Sequence, residues 1–402
     1  MKVFEEKAII YTAGCHGLVH IMELSYGALL IYIATEFGAS LFVMGILANV
    51  FGLAFGIMGL PAGLLADHFS ERRLLMVCCL SMGIASIIIG LSPSIYILGT
   101  GLLILGLSLG IYHPVSFAFI TRVTTNRGMS FAYLGMGGNL GIAIGPLLAS
   151  SLASIFSWRE TYLLLSIPAL ILAVGFYFFS NVEIPSPKKI ISKVNINNIS
   201  SRPLIVPLIL VFIAATMNGF IYRGIVTFLP LYLNERINFS LFNMDKALLA
   251  GSFTTIALAF GVGGQFLGGY LSDRKSRETL VFIVSLIAVP LLILMGNSQG
   301  ILLVIFSTVF AFFYFMGQPI YNVLLADYSP DYQRGRIFGL YFLFAFGLGS
   351  FSASILGYIA GKFGTNWVFT SSAGFGLVTI ISTTFLFIRY LKSRHRETNF
   401  PS

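Results

Sequence analysis

The stretch Gly63–Arg73, GLLADHFSERR, returns later in the chain as Gly269–Glu278, GYLSDRKSRE, with Asp67 and Asp273 at 206 residues' separation. In each copy an acid ends a long apolar run and bases open the next one. Such a break reads as a short loop joining two buried helices. Further matches follow in the same order. His113-Pro114 meets Gln318-Pro319 at an offset of 205, Arg127-Gly128 meets Arg334-Gly335 at 207, and Trp158 meets Trp367 at 209. Tyr32 meets Tyr232 at an offset of 200, the difference being absorbed around Arg236–Lys246. One match is within chance, but an ordered series means a duplicated unit in parallel orientation.

Composition says where that unit resides. Only 10% of the 402 residues are charged, against about 25% in ordinary soluble domains. The hydrophobic fraction is 57% and Phe occurs 38 times. A soluble surface cannot be built from so few charges, and a disordered chain is poor in apolar residues. The runs are too long for barrel strands, which alternate over about 10 residues. At about 20 apolar residues per span, twelve spans are predicted. They cover 8–34, 42–65, 73–92, 95–120, 129–152, 161–181, 204–233, 247–271, 279–296, 299–326, 336–361 and 366–391. The expected fold is all-α integral membrane, with six-helix bundles at 1–181 and 204–402 joined by a polar cytoplasmic linker at 182–203.

Charge position gives orientation. Nineteen of the 24 Lys and Arg fall on the side of the N-terminus, from Lys2 through Arg396. Arg159, Arg236, Lys246 and Lys362 fall on the other side, and Arg223 lies inside a span. The positive-inside rule then places both termini in the cytoplasm. The net charge of +9 thus records topology, and no nucleic-acid partner is expected. The absence of a targeting segment fits a prokaryotic inner membrane. Cys15, Cys78 and Cys79 offer neither a disulfide framework nor zinc spacing. No cofactor is expected. No Gly-Lys-Ser/Thr phosphate loop is present, so direct drive by ATP is not expected.

The paired Gly-x3-Asp loops resemble the signature loop of the major facilitator superfamily. The segment Gly135-Met-Gly-Gly-Asn139-Leu-Gly141-Ile-Ala-Ile-Gly145-Pro146 resembles that superfamily's glycine-rich fifth span. With Tyr-His113-Pro114, it is similar to the branch that holds fosmidomycin-resistance efflux pumps. The first loop departs from the pattern, because His68 stands where Arg is usual and Glu71 where a base is common. The resemblance implies two pseudo-symmetric bundles working by alternating access. It also implies that Asp67, Arg72, Arg73, Asp273, Arg274 and Arg277 form a latch favouring the outward-open state. Gly137, Gly141 and Gly145 recur every four residues, which allows close helix approach. The resemblance implies that this face, bent by Pro146, moves against span eight. There Gly261, Gly264 and Gly268 have matching spacing. Pro114, which can kink span four, and Pro319 in span ten are expected to serve helix packing and gating.

Of the 39 formally charged residues, only Glu23 and Arg223 lie deep in spans. A charge in the bilayer costs roughly 2.5–3.5 kcal/mol on insertion scales, so each is a functional candidate. His16, His20 and Glu23 follow i, i+4, i+7 and share one face of span one. The offset of 200 places Glu23 opposite Arg223 in the other half. Glu23, His16, His20 and His113 are therefore expected to carry protons. Burial favours a neutral carboxyl and a guanidinium a charged one, so Glu23 can cycle between both. Arg223 suits an anionic group of the substrate. Gln318, Tyr222, Asn218, Asn139 and Asn322 are further substrate-binding candidates. A static Glu23–Arg223 pair, and His113 bonding only to a carbonyl freed by Pro114, are the structural alternatives. Many of the phenylalanines are expected to face lipid. The spacing of His16, His20 and Glu23 also admits a metal ion, although none is expected.

The expected function is proton-coupled efflux of a small drug or metabolite, anions included, by a monomer in the lipid bilayer. Proton-coupled uptake of an organic anion is the alternative. A histidine-dependent membrane enzyme is the competing class, but it lacks a nucleophile motif and leaves the repeat unexplained.

Overall fold

The computed structural model describes residues 2–123, 127–178, 205–241, 244–329 and 334–399. Side chains at 2–5, 67–68, 121–123, 127–129, 131–132, 334–336 and 393–399 lie outside that description, as does the linker expected at 182–203.

Lipid leaves no solvent for unpaired backbone groups, so each apolar run closes its own hydrogen bonds as a helix. The first half holds α1 (Lys2–Phe37), α2 (Leu41–His68), α3 (Glu71–Gly90), α4 (Ile95–Val123), α5 (Arg127–Ile155) and α6 (Trp158–Phe178). The second half holds α7 (Ile205–Arg236), α8 (Lys246–Ser272), α9 (Arg277–Gly296) and α10 (Gly300–Tyr328). It continues with α11 (Arg334–Phe342), α12 (Phe351–Phe363) and α13 (Asn366–Asn399). Twelve helical stretches among the described residues are long and apolar enough to cross a membrane, with Ile337–Phe363 counting as one. Among the described joins, tight turns link α1 to α2 and α2 to α3. Gly38 ends α1 at φ 58°, a conformation that side chains disfavour, and Ser40 caps α2 by accepting from the Val43 amide.

Within the first half α1 lies on α5, α2 on α4 and α3 on α6; within the second, α8 lies on α10 and α9 on α13. The halves meet where α1 crosses α7, α2 crosses α12 and α5 crosses α8. Glycine makes these crossings close. A β-carbon at Gly27 would stand 1.9 Å from the Val226 carbonyl oxygen, one at Gly45 2.2 Å from that of Ala353, and one at Gly251 1.8 Å from Ser150 Oγ. All three crossings lie toward the membrane face opposite the N-terminus, so the halves are sealed on that far side.

The span expected at 336–361 is present over Ile337–Phe363, with a π-turn at Leu343–Gly347 and a 3₁₀ turn at Leu348–Ser350 interrupting its helix. Gly56 of α2 and Gly219 of α7 press on this break, where β-carbons would stand 2.2 Å from the Gly347 nitrogen and 1.8 Å from the Ala345 carbonyl oxygen. The glycine face of span five does not meet span eight. β-Carbons at Gly137 and Gly141 would stand 2.3 Å and 2.1 Å from the carbonyl oxygens of Ala13 and Gly17 in α1, and one at Gly145 3.3 Å from Ile21 Cα. The contact between α5 and α8 comes at and beyond Pro146, where the Leu147 amide donates to Thr255 Oγ1. Gly264 and Gly268 pack instead on the Phe312 and Met316 carbonyls of α10. Pro114, Pro146 and Pro319 lie inside the continuous helices α4, α5 and α10.

Candidate functional site

Between the halves lies a cavity of about 1120 Å³, which runs toward the N-terminal face from the sealed crossings. Its walls are largely apolar, with aromatic rings gathered around His113. Phe55, Phe342 and Phe346 contact one another around His113, with Phe346 edge-on to Phe55 and stacked on Phe342, and Phe342 stacked on His113. These phenylalanines belong to the cavity wall, whereas others lie on the outer surface, as Phe385 does at 56% exposed. The polar candidates His16, His20, Glu23, His113, Asn139, Asn218, Tyr222, Gln318 and Asn322 all line the cavity. Gln265, missed in the sequence, joins them and donates to Gln318 Oε1 at 3.0 Å. Lys and Arg are absent from the lining among the described residues.

A chain of hydrogen bonds runs along the α1 wall. His16 Nδ1 lies 2.8 Å from the Leu134 carbonyl oxygen, His16 Nε2 lies 3.2 Å from His20 Nε2, and His20 Nδ1 lies 3.0 Å from Glu23 Oε2. A carbonyl only accepts, so His16 Nδ1 carries a hydrogen. The bond between the two Nε2 atoms then needs a hydrogen on one of them, and the bond to Glu23 needs another. Hydrogen-bonded throughout, the chain takes one proton more than a carboxylate and two neutral imidazoles hold. With one fewer, either the two Nε2 lone pairs face each other at 3.2 Å or the His20 Nδ1 lone pair faces the Glu23 carboxylate at 3.0 Å. Gly138 makes the arrangement possible, since a β-carbon there would stand 2.4 Å from His16 Cε1. His113 from α4 closes the group, with its ring centroid 5.2 Å from that of His16 and 5.6 Å from that of His20.

Glu23 is where the halves meet. Its Oε1 accepts from the Tyr222 hydroxyl at 3.2 Å and lies 3.9 Å from Arg223 Nη2, both on α7. The offset of 200 in sequence thus becomes proximity in space. The pair is no tight clamp, because Arg223 Nη2 is buried without a hydrogen-bond partner among the described residues. Nor does Arg223 line the cavity in this conformation. It sits behind the floor, 3% exposed, with its guanidinium 5.4 Å from the Phe51 ring centre and against Gly52.

The expected latch is described in part. The side chain of Asp67 lies outside the described residues, Arg73 is exposed, and Arg72 is partly exposed. Asp273 is exposed at the end of α8, and Arg274 lies over the Tyr270 ring at 3.6 Å. Arg277 donates to the Ser272 carbonyl and pairs with Asp327 of α10 at 2.8 Å, within its own half.

Comparison with known proteins agrees with this architecture. The model of the Major Facilitator Superfamily matches residues 12–354. The fosmidomycin resistance protein of Escherichia coli (strain K12) is 23% identical over 367 residues, 86% of each chain. The probable sulfoacetate transporter of Cupriavidus necator is 27% identical over 268 residues, 61% of this chain and 60% of its own. A solved bacterial homolog of the human lysosomal transporter Spinster, inward-facing and occupied, shares the fold. Its TM-score is 0.75 at 16% identity, over 94% of this chain and 95% of that one. A twelve-span helical fold, a matching family model over most of its length and a central cavity between two repeated halves leave one assignment: the chain belongs to the major facilitator superfamily.

Proposed function

We propose that this transporter works by alternating access and exports a small drug or metabolite, anions included, in exchange for protons. The observation that carries the reading is the hydrogen-bond chain from Leu134 to Glu23, which needs a proton, borders the cavity and ends where the halves meet. A charged Glu23 attracts Arg223 across 3.9 Å, and a protonated one does not. Near 4 Å that attraction is on the order of 1–4 kcal/mol between water-like and protein-surface dielectrics. Proton occupancy therefore biases how firmly α1 closes on α7. As the two helices part on the far side, Arg223 gains access to the other compartment and offers an anion its guanidinium. The excess of bases on the N-terminal side supports cytoplasmic termini in a cell inner membrane, so that the cavity opens to the cytoplasm. A monomer suffices, because the cavity and both halves of the proton path come from one chain.

Uptake of an organic anion by symport is a second reading. Arg223 favours it, as does similarity to a protein named as a probable sulfoacetate transporter. Respiring inside-out vesicles carrying the protein separate the two. An exported compound dissipates the inward proton gradient when added outside, and the same compound is better tolerated by expressing cells. Fosmidomycin is the first to try, followed by small drugs and organic acids. Compounds that sensitise expressing cells would favour uptake. A panel in which none moves protons in either orientation would sink the proton-coupled reading.

A further inference from the structure

The geometry points to a metal site on the cavity wall: His16, His20 and His113 bind one divalent first-row transition-metal ion, with zinc the fitting case. One ligand atom from each ring lies within 4.8 Å of the others. The Nε2 atoms of His16 and His20 stand 3.2 Å apart. Two nitrogens bound to zinc at about 2.0–2.1 Å and a tetrahedral angle stand about 3.3 Å apart, so this pair is already set as one edge of the polyhedron. Their opposite nitrogens are also set. A metal-bound imidazole characteristically donates its other N–H to a carbonyl or carboxylate. His16 Nδ1 has the Leu134 carbonyl at 2.8 Å and His20 Nδ1 has the Glu23 carboxylate at 3.0 Å.

His113 supplies the third nitrogen from α4. No hydrogen bond to its ring nitrogens occurs among the described residues, so neither is committed elsewhere. By spacing alone, His16, His20 and Glu23 share one helix face. The fold adds His113 and makes Glu23 the partner of His20. All three rings border the cavity, which gives the ion an access path and leaves a fourth position for water or an oxygen of an anionic cargo. That position matters because the described lining has no Lys or Arg to hold an anion. The ion and the shared proton would use the same lone pairs, so either can hold the two imidazoles together.

The test uses purified, tag-free full-length protein stripped with a chelator and then titrated with Zn²⁺ by calorimetry. Co²⁺ serves as the optical probe of a tetrahedral site. One ion per chain is expected, with the zinc X-ray absorption showing three nitrogen neighbours at about 2.0–2.1 Å. His113→Ala should abolish the tetrahedral Co²⁺ bands. Glu23→Gln should weaken zinc by about 10–100-fold, as loss of an outer partner does, while eluting and melting like the parent. Absence of saturable one-to-one binding would overturn the proposal. So would undiminished affinity in a His16→Ala/His20→Ala variant, or sulfur in the zinc shell. Binding is read without substrate or proton gradient, so its failure leaves proton coupling standing, and failure of coupling leaves the site standing.

Discussion

Gly27 is the place where a single methyl group should change which side of the molecule is open. Its β-carbon would lie 1.9 Å from the Val226 carbonyl oxygen and 3.0 Å from the carbonyl carbon. Non-bonded carbon contacts relax near 3.5 Å, so Gly27→Ala demands that α1 and α7 part by about 1.5 Å at their crossing. Overpacking of this size costs about 1–3 kcal/mol. The cost falls on the far-side-closed conformation alone, because that crossing is what closes it. The ratio of far-side-open to far-side-closed molecules should therefore rise by about 5–150-fold. Spin labels at the exposed Thr35 and Lys246, on opposite halves at the far end, report the change as a longer distance population. Gly269→Ala is the control, since its β-carbon meets nothing within 4 Å. An unchanged distance distribution in a well-folded Gly27→Ala protein would refute the assignment of this crossing as the far-side seal.

Other outcomes follow from the same contacts. Gly138→Ala should displace the His16 ring, whose Cε1 would lie 2.4 Å from the new methyl, and reduce proton-coupled flux while expression persists; parental flux would contradict the role of the His16–His20 bond. Tyr222→Phe removes the hydroxyl that donates to Glu23 at 3.2 Å, a bond to a charged group worth about 1.5–3 kcal/mol. It should raise the far-side-open population in the same spin-label assay, and a shift toward closure would count against Glu23 as the junction. Arg159 binds Glu36 at 2.6 Å and also donates to the carbonyls of Gly90 and Ser92. Arg159→Ala should therefore lower thermal stability more than Glu36→Ala, which removes the same exposed pair, worth about 0.2–1 kcal/mol, and the one further bond that Glu36 accepts from Trp158 Nε1. Equal losses on thermal melting would refute that ranking.

The spans, the six-plus-six repeat and the facing of Glu23 and Arg223 were legible because the bilayer forces each into the sequence. Apolar length, basic loops and buried charge cannot be hidden there. What the sequence withheld concerns partners. The stripe Gly137, Gly141, Gly145 announces close approach but not that α1, rather than α8, is what approaches. The break at Leu343–Ser350 contains no proline; Gly347 and Gly349 weaken the helix there without announcing a π-turn, and Gly56 and Gly219 from two other spans pack against it. His113 is 93 residues from His20, and only the packing of α4 beside α1 brings the rings together. Phe55 and Phe346 have the composition of lipid-facing residues and become cavity wall by helix rotation alone. Tyr222 is one polar residue among several in the sequence, and only the crossing of α1 and α7 puts its hydroxyl on Glu23.

The proposed transport cycle turns on Glu23, as the carrier of the proton that couples the two halves. Its direct test is proton flux in proteoliposomes, with the parent and Glu23→Gln reconstituted at equal density and the same transported compound added. Glutamine keeps the size and hydrogen-bonding capacity of the side chain but takes up no proton. The parent should move protons only when the compound is present, and Glu23→Gln should bind the compound yet move none. Undiminished compound-dependent proton flux in Glu23→Gln would contradict the account.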